Sequence, residues 1–314
     1  MVSYKRIDKK DRRKKRNTRR RRRVLRGGNE NKCIFVKLSG RLGNQLFIYA
    51  SAIVLKQKMS MPLCIIEPIG DEDKKDFPNY KDIFKQGDIV NFDTVRTRWD
   101  SANPDIDDKL PRMHFDWSGI ELPTKKTVDY KFGDKGTSTY QTYKTIESAI
   151  ETIRTDCKDV FEKKYPGFKE TIPAKSEFLH VRRGDYISQN HYNVNEKYYK
   201  QCLDILANDE KIEAIYVLSD EIQWCKDQKW ASSKLKYFDN EQESKDVLKS
   251  MYLMSLCSAG ACTSASTFGL WGVILGADQN KSATILYPSK WVTGDDTKSL
   301  ILPSWWKEMP NGGK

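Results

Sequence analysis

The sequence predicts an α/β chain built on parallel sheets, and three observations carry that expectation. Short apolar runs rich in branched residues recur between residues 33 and 288. They alternate with stretches of helical periodicity, and turns marked by glycine or proline separate the two. At 314 residues the chain is longer than one compact core usually serves, so two such units are expected.

The elements follow in order. "CIFVKL" (Cys33–Leu38) reads as a strand, "SGRLGN" as a glycine turn, "QLFIYASAIVLKQK" (Gln45–Lys58) as an amphipathic helix, and "PLCIIE" as a second strand. From about Asp71 to Gly136 the chain is polar and carries Pro78, Pro104, Pro111 and Pro123, which predicts long loops and short elements. The acidic triplets Asp71–Asp73 and Asp105–Asp107 fall there and read as solvated loop. A helix is expected over Tyr143–Tyr165, and "PGFKETIPAKS" reads as a linker into the second unit. Beyond it the rhythm is clearer. Strands are expected at "EFLHV", "EAIYVLS", "GACTS" and "ATILYP", and helices over Asn195–Asp209, from near Asp220, over "ESKDVLKSMYLMSLCSA" and over "STFGLWGVILGA". No internal sequence repeat is visible.

The net charge of +12 suggests a nucleic-acid binder until its position is considered. Residues 1–32 hold 16 Lys and Arg against Asp8, Asp11 and Glu30, a net +13, which leaves −1 for the other 282 residues. Almost without apolar residues, this segment cannot bury a face and reads as a disordered basic tail. Residues 4–26 would bind polyanions or an anionic membrane surface through charge alone. No apolar stretch reaches spanning length and no signal-peptide core follows Met1, which predicts a cytoplasmic protein held peripherally at membranes by its tail. Seven cysteines without a C-x-x-C pair suggest buried thiols in a reducing compartment rather than a disulfide framework or a zinc site. With only His114, His180 and His191, a histidine-rich metal centre is not expected.

In an open parallel sheet a ligand sits beyond the carboxyl ends of the strands, and three stretches fall there. The first is "FLHVRRGDYI" (Phe178–Ile187). Strand alternation puts His180 and Arg182 on one face and Val181 and Arg183 on the other. One arginine can offer its planar fork to a diphosphate, while the other is held by a carboxylate such as Asp185. Rim ion pairs are the competing explanation. The adhesion reading of "RGD" does not suit a tripeptide that directly follows an apolar strand. In the second stretch, "LSDEIQW", Asp220 and Glu221 stand where strand gives way to helix, either as caps or as carboxylates facing a nucleoside or an acceptor hydroxyl. The third, "TSASTFGLWG", sets Ser266, Thr267 and Phe268 at a helix start, whose N–H groups suit a phosphate. "SGRLGN" is similar but weaker.

Four blocks in this order, "GRLGNQLFIYASA", "HVRRGDY", "YVLSDEIQWC" and "TSASTFGLWGVIL" before "ILYPSKW", resemble the α-1,2-fucosyltransferases of glycosyltransferase family 11. The likeness runs from about Cys33 to Trp291 and excludes the tail. Ala265 and Leu270 depart from the pattern of many bacterial members and bear on acceptor choice.

The resemblance implies a GT-B-like architecture, two Rossmann-like α/β domains with parallel sheets facing across a cleft. Residues 1–32 would be the tail, 33–172 an acceptor-side domain and 173–314 the donor-binding domain with a C-terminal extension. It further implies an inverting, metal-independent transfer of fucose from GDP-L-fucose, a co-substrate rather than a cofactor, to the 2-hydroxyl of a galactose-terminated glycan. Arg182 would hold the β-phosphate and His180 would lie toward guanosine. Arg183 and Asp185 would brace the loop, and Asp220, Glu221, Ser266, Thr267 and Phe268 would complete the donor pocket. Asp185, Asp220 and Glu221 all remain candidates for the base. The same donor with another glycan acceptor, a transferase-like protein that binds nucleotide without turnover, and a non-catalytic scaffold for the tail are the alternatives.

Overall fold

The computed structural model describes residues 33–68, 71–90, 115–116, 119–120, 130–132, 142–189, 195–238, 246–291 and 300–311. The basic tail, Asp105–Asp107, His114 and His191 lie outside the described residues. In chain order the first half runs β1 (Ile34–Lys37), α1 (Leu42–Met59), β2 (Leu63–Ile66), α2 (Asp71–Tyr80), β3 (Gly87–Val90), β4 (Phe115–Asp116), β5 (Gly119–Ile120), β6 (Tyr130–Phe132), α3 (Tyr143–Ile146) and α4 (Ile150–Lys164). The second half runs β7 (Ser176–Val181), α5 (Gly184–Gln189), α6 (Glu196–Ala207), β8 (Ala214–Ser219), α7 (Ile222–Asp227), β9 (Leu235–Tyr237), α8 (Val247–Leu256), β10 (Gly260–Thr263), α9 (Thr267–Leu275), β11 (Thr284–Pro288) and β12 (Lys307–Met309).

Two fully parallel sheets result. One has the order β3-β2-β1-β6 and the other β12-β11-β10-β7-β8-β9; β4 and β5 form a separate antiparallel pair. All six residues of β7 are buried, as a central strand covered on both faces requires. In each sheet the strand order reverses beside one strand. That strand is β1, flanked by β2 and β6, in the first sheet, and β7, flanked by β8 and β10, in the second. Such reversals leave a crevice at the carboxyl end where ligands bind. The turn after β1 and the turn after β7 therefore occupy the two places where a parallel sheet opens.

Several expectations need correction. Asp71–Asp73, read as solvated loop, open α2 instead, and the short elements expected beyond them include a 3-10 turn over Lys81–Ile83 and β3. Phe77, Tyr80, Ile83 and Phe84 supply the core contacts of this stretch, with the Phe77 and Phe84 rings stacked 5.7 Å apart. The single helix expected over Tyr143–Tyr165 is α3, a 3-10 turn over Glu147–Ala149, and α4. The strands β9 and β12 had no apolar run long enough to announce them.

Nor is α1 amphipathic. It is buried on nearly every side from Leu42 to Leu55, because its own sheet covers one face and α9 another. The Phe47 and Trp271 rings meet there at 5.1 Å. One continuous core thus runs through both sheets, and a second fills the far face of β7 and β8 under α6. Helix α4 ties the halves together. Its Asp156 accepts from Tyr49 of α1, while Arg154 donates to the Ile274 carbonyl of α9 and pairs with buried Asp278 at 2.9 Å.

Candidate active site

The apolar demand of β7 ends at Val181, and the chain turns there into α5, so Arg182 and Arg183 stand at the mouth of the sheet. Arg182 is held on both sides of its fork. Nη1 lies 2.9 Å from Asp220 Oδ2 and Nη2 lies 2.5 Å from Asp185 Oδ1. Arg183 donates Nε to Glu221 Oε2 at 2.9 Å and its backbone N–H to Asp220 Oδ1 at 3.0 Å, and its guanidinium lies 3.8 Å from the centre of the Trp224 ring. The expected brace is therefore exchanged, with Asp185 serving Arg182 and Glu221 serving Arg183. Alternation lapses where the ladder stops, and the first turn of α5 brings residue 185 back over residue 182.

Asp220 and Glu221 do not cap α7 through their side chains. They pair with the arginines instead, so the capping alternative does not hold. Gly184 makes the arrangement feasible, since a Cβ there would stand 2.5 Å from Asp220 Oδ2.

His180 lies behind this cluster, with its ring nitrogen Nδ1 3.0 Å from Ser264 Oγ and its ring 5.7 Å from that of Phe268. Burial, followed by the positive charge of Arg182, pushes its pKa down to about 3. The ring is therefore neutral across ordinary pH, a polar but uncharged surface. Ser266 occupies the N-cap position of α9, although its hydroxyl makes no capping bond. The backbone at this helix start retains donor groups of the kind that favour an anion.

The turn after β1 reaches the same place. The Thr267 hydroxyl donates to Asn44 Oδ1 at 2.8 Å, and a Cβ on Gly43 would fall 2.6 Å from the Phe268 nitrogen. The starts of α1 and α9 are thus packed backbone against backbone. Arg41, exposed over 62% of its side chain, approaches Asp185 at 4.0 Å. Sequence reasoning gave this turn less weight than it has in the structure. Arg41, Asn44, Ser264 and Trp224 join the nine residues expected at the site, and "SGRLGN" was the signal for the first two.

The site gathers three arginines and three carboxylates at the two sheet reversals. Among the described residues no three His, Cys, Asp or Glu side chains converge as a metal-ligand set, and no helix is long and apolar enough to cross a membrane. A cavity of about 240 Å³ lies elsewhere, lined by Asp76, Asn79, Tyr80, Lys164, Asp246, Val247 and Leu248. It contains none of the arginine cluster, so chemistry rather than volume identifies the site.

The chain is 25% identical over 308 residues to the O-antigen biosynthesis glycosyltransferase WbnK of Escherichia coli, covering 85% of this chain and 98% of that one. It is 24% identical over 219 residues to galactoside alpha-(1,2)-fucosyltransferase 1 of Lagothrix lagotricha, covering 64% of this chain and 59% of that relative. In fold it is similar to the crystal structure of the fucosyltransferase NodZ from Bradyrhizobium, with a TM-score of 0.50 at 14% identity over 79% of this chain and 94% of that one. The pattern described as glycosyl transferase family 11 matches residues 131–308, more than half of the sequence. This chain belongs to glycosyltransferase family 11.

Proposed function

We propose that the protein transfers L-fucose from GDP-L-fucose to the 2-hydroxyl of a terminal galactoside, with inversion at the anomeric carbon and with arginine in the place of a divalent cation. Residues 33–172 serve the acceptor in this reading and residues 173–314 the donor. Membership of family 11 and the alpha-(1,2)-fucosyltransferase named among the relatives support the choice of reaction. The observation that carries it is the fork of Arg182, held at the mouth of β7 where the starts of α1 and α9 meet.

Both ends of that fork are occupied by carboxylates, so a diphosphate has to displace one. Asp185 is the one that yields, because its side chain is 37% exposed against 23% for Asp220. Asp220 keeps Nη1 and also holds the Arg183 backbone, so the turn stays in place while Nη2 passes to the β-phosphate. Donor binding thereby frees Asp185 as the base. The galactose oxygen attacks the anomeric carbon and gives its proton to Asp185. The bond to the β-phosphate oxygen breaks, and GDP leaves with the electron pair, its charge met by Arg182. Neutral His180, with Phe268, Ser266 and Thr267, receives the nucleotide, while Glu221 and Trp224 hold Arg183 in line.

Calorimetric titration with GDP-fucose in the presence of EDTA tests the donor assignment. Saturable binding that exceeds binding of UDP-galactose is the expected result. A strict need for manganese or magnesium, or no binding at all as the scaffold reading requires, overturns it.

A further inference from the structure

We propose that Cys33 and Cys64 form a disulfide that staples β1 to β2, making the base of the first sheet responsive to redox conditions. All seven cysteines are buried; Cys202 and Cys262 also lie within hydrogen-bonding reach of each other, but Cys33 and Cys64 are the pair that joins neighbouring strands of the first sheet. Cys33 Sγ and Cys64 Sγ are 2.6 Å apart across adjacent strands, only about 0.5 Å beyond a covalent S–S bond. Ile34 pairs with Leu63 and Phe35 with Cys64, so alternation puts both thiols on the sheet face away from α1. Ile34, Val36, Leu63 and Ile65 belong to the core on the opposite face, which leaves the two sulfurs directed at each other rather than into that packing.

Closing the remaining gap needs a backbone shift at Cys33, which the register sets opposite Pro62, two residues before Cys64. Cys33 precedes the first residue of β1, and the hydrogen bond from Ile34 N–H to the Pro62 carbonyl at 2.9 Å anchors the chain immediately after it. That shift falls on the chain ahead of β1 rather than within the ladder. Four of the other five thiols are less suited to exchange. Burial raises those of Cys157, Cys257 and Cys262 and pushes that of Cys225 up to about 11, which suppresses the thiolate that exchange requires.

Closure joins residues 31 apart in sequence, and the loop it makes contains α1 and the Arg41–Asn44 turn. A loop of that length loses substantial freedom in the unfolded chain when cross-linked, so the oxidised protein resists heat better. In the reaction the two thiols lose two protons and two electrons. A disulfide oxidant such as oxidised glutathione accepts them and leaves as two reduced thiols.

The test is refolding of the reduced, full-length protein in a glutathione redox buffer, followed by alkylation and peptide mapping by mass spectrometry. One cross-linked peptide joining Cys33 to Cys64, with the other five cysteines alkylated, is expected. The melting temperature should rise by roughly 5 °C or more over the reductant-treated protein, and Cys33→Ser should abolish the rise. Seven alkylated thiols, or a cross-link through another cysteine, overturn the proposal. If Cys33→Ser does not fold, the peptide map of the unaltered protein still decides.

Discussion

The Thr267 hydroxyl donates to Asn44 Oδ1 at 2.8 Å, joining the first turns of α1 and α9 across 223 residues of sequence. Asn44 lies in the helix that follows β1 and Thr267 in the helix that follows β10, the neighbour of β7, so this bond joins the two sheets beside their reversal points. Thr267→Val removes the donor and leaves the Asn44 oxygen short of a partner, a cost of about 1–3 kcal/mol. Gly43→Ala is harsher, because its Cβ would meet the Phe268 nitrogen at 2.6 Å. Thermal melts should rank Gly43→Ala below Thr267→Val and both below the unaltered protein. A neutral Gly43→Ala would contradict the backbone contact.

Arg182 and Arg183 should separate under the same conservative change. Arg182→Lys keeps the charge but loses the fork, and the loss of one transition-state contact of this kind costs about 10²–10³ in rate. Arg183→Lys loses its stack on Trp224 and its contact with Glu221, and it acts by loosening the turn. Fucosyl transfer should fall less in Arg183→Lys, with melts of both variants confirming the fold. Equal losses, or a larger one at Arg183, would mean that the ligand-facing arginine has been misassigned.

Gly184→Ala offers a test of Asp220 without altering its chemistry. The added methyl would stand 2.5 Å from Asp220 Oδ2 and push the carboxylate off Arg182. Donor affinity and turnover should both drop while the melting temperature moves little, because the turn is partly exposed. Unchanged kinetics would remove Asp220 from the account.

Much of this was legible in the sequence, and what was not has physical causes. The strand β7 could be read from its apolar Phe178, Leu179 and Val181, and the arginines after it because charge cannot continue inside a sheet. Helix α2 was hidden, since "DEDKKDFPNY" offers only Phe77 and Tyr80 to a core and carries Pro78. The partners of the arginines were misjudged because period-two alternation was carried past Val181, where helical spacing takes over. Arg41 and Asn44 were signalled only weakly by "SGRLGN", because their place at the site depends on how α1 packs against α9, which a local pattern does not encode.

Glu177 predicts a pH dependence of stability. It is buried in β7, its Oε2 has no hydrogen-bond partner among the described residues, and burial, then the nearby charge of Asp209, pushes its carboxyl up to about 8 from 4.5. Between those two values the native protein keeps a proton that the unfolded chain has released, so stability falls as pH rises through that window and levels off above it. The span corresponds to a loss on the order of several kcal/mol. Glu177→Gln should remove the slope, gaining on the unaltered protein steadily from pH 5 to 8 in urea denaturation. Parallel curves for the two proteins would show that Glu177 is ionised in the fold.

The most direct measurement of the central claim is product analysis. The protein is incubated with GDP-fucose, a panel of β-galactosides and EDTA, GDP release is followed, and the linkage of the product is read by NMR. We predict turnover only with acceptors carrying a terminal galactose, yielding fucose α-linked to its 2-hydroxyl, and a loss of that product with Arg182→Lys. Transfer to a different hydroxyl, retention of the donor's anomeric configuration, or full activity in Arg182→Lys would contradict it.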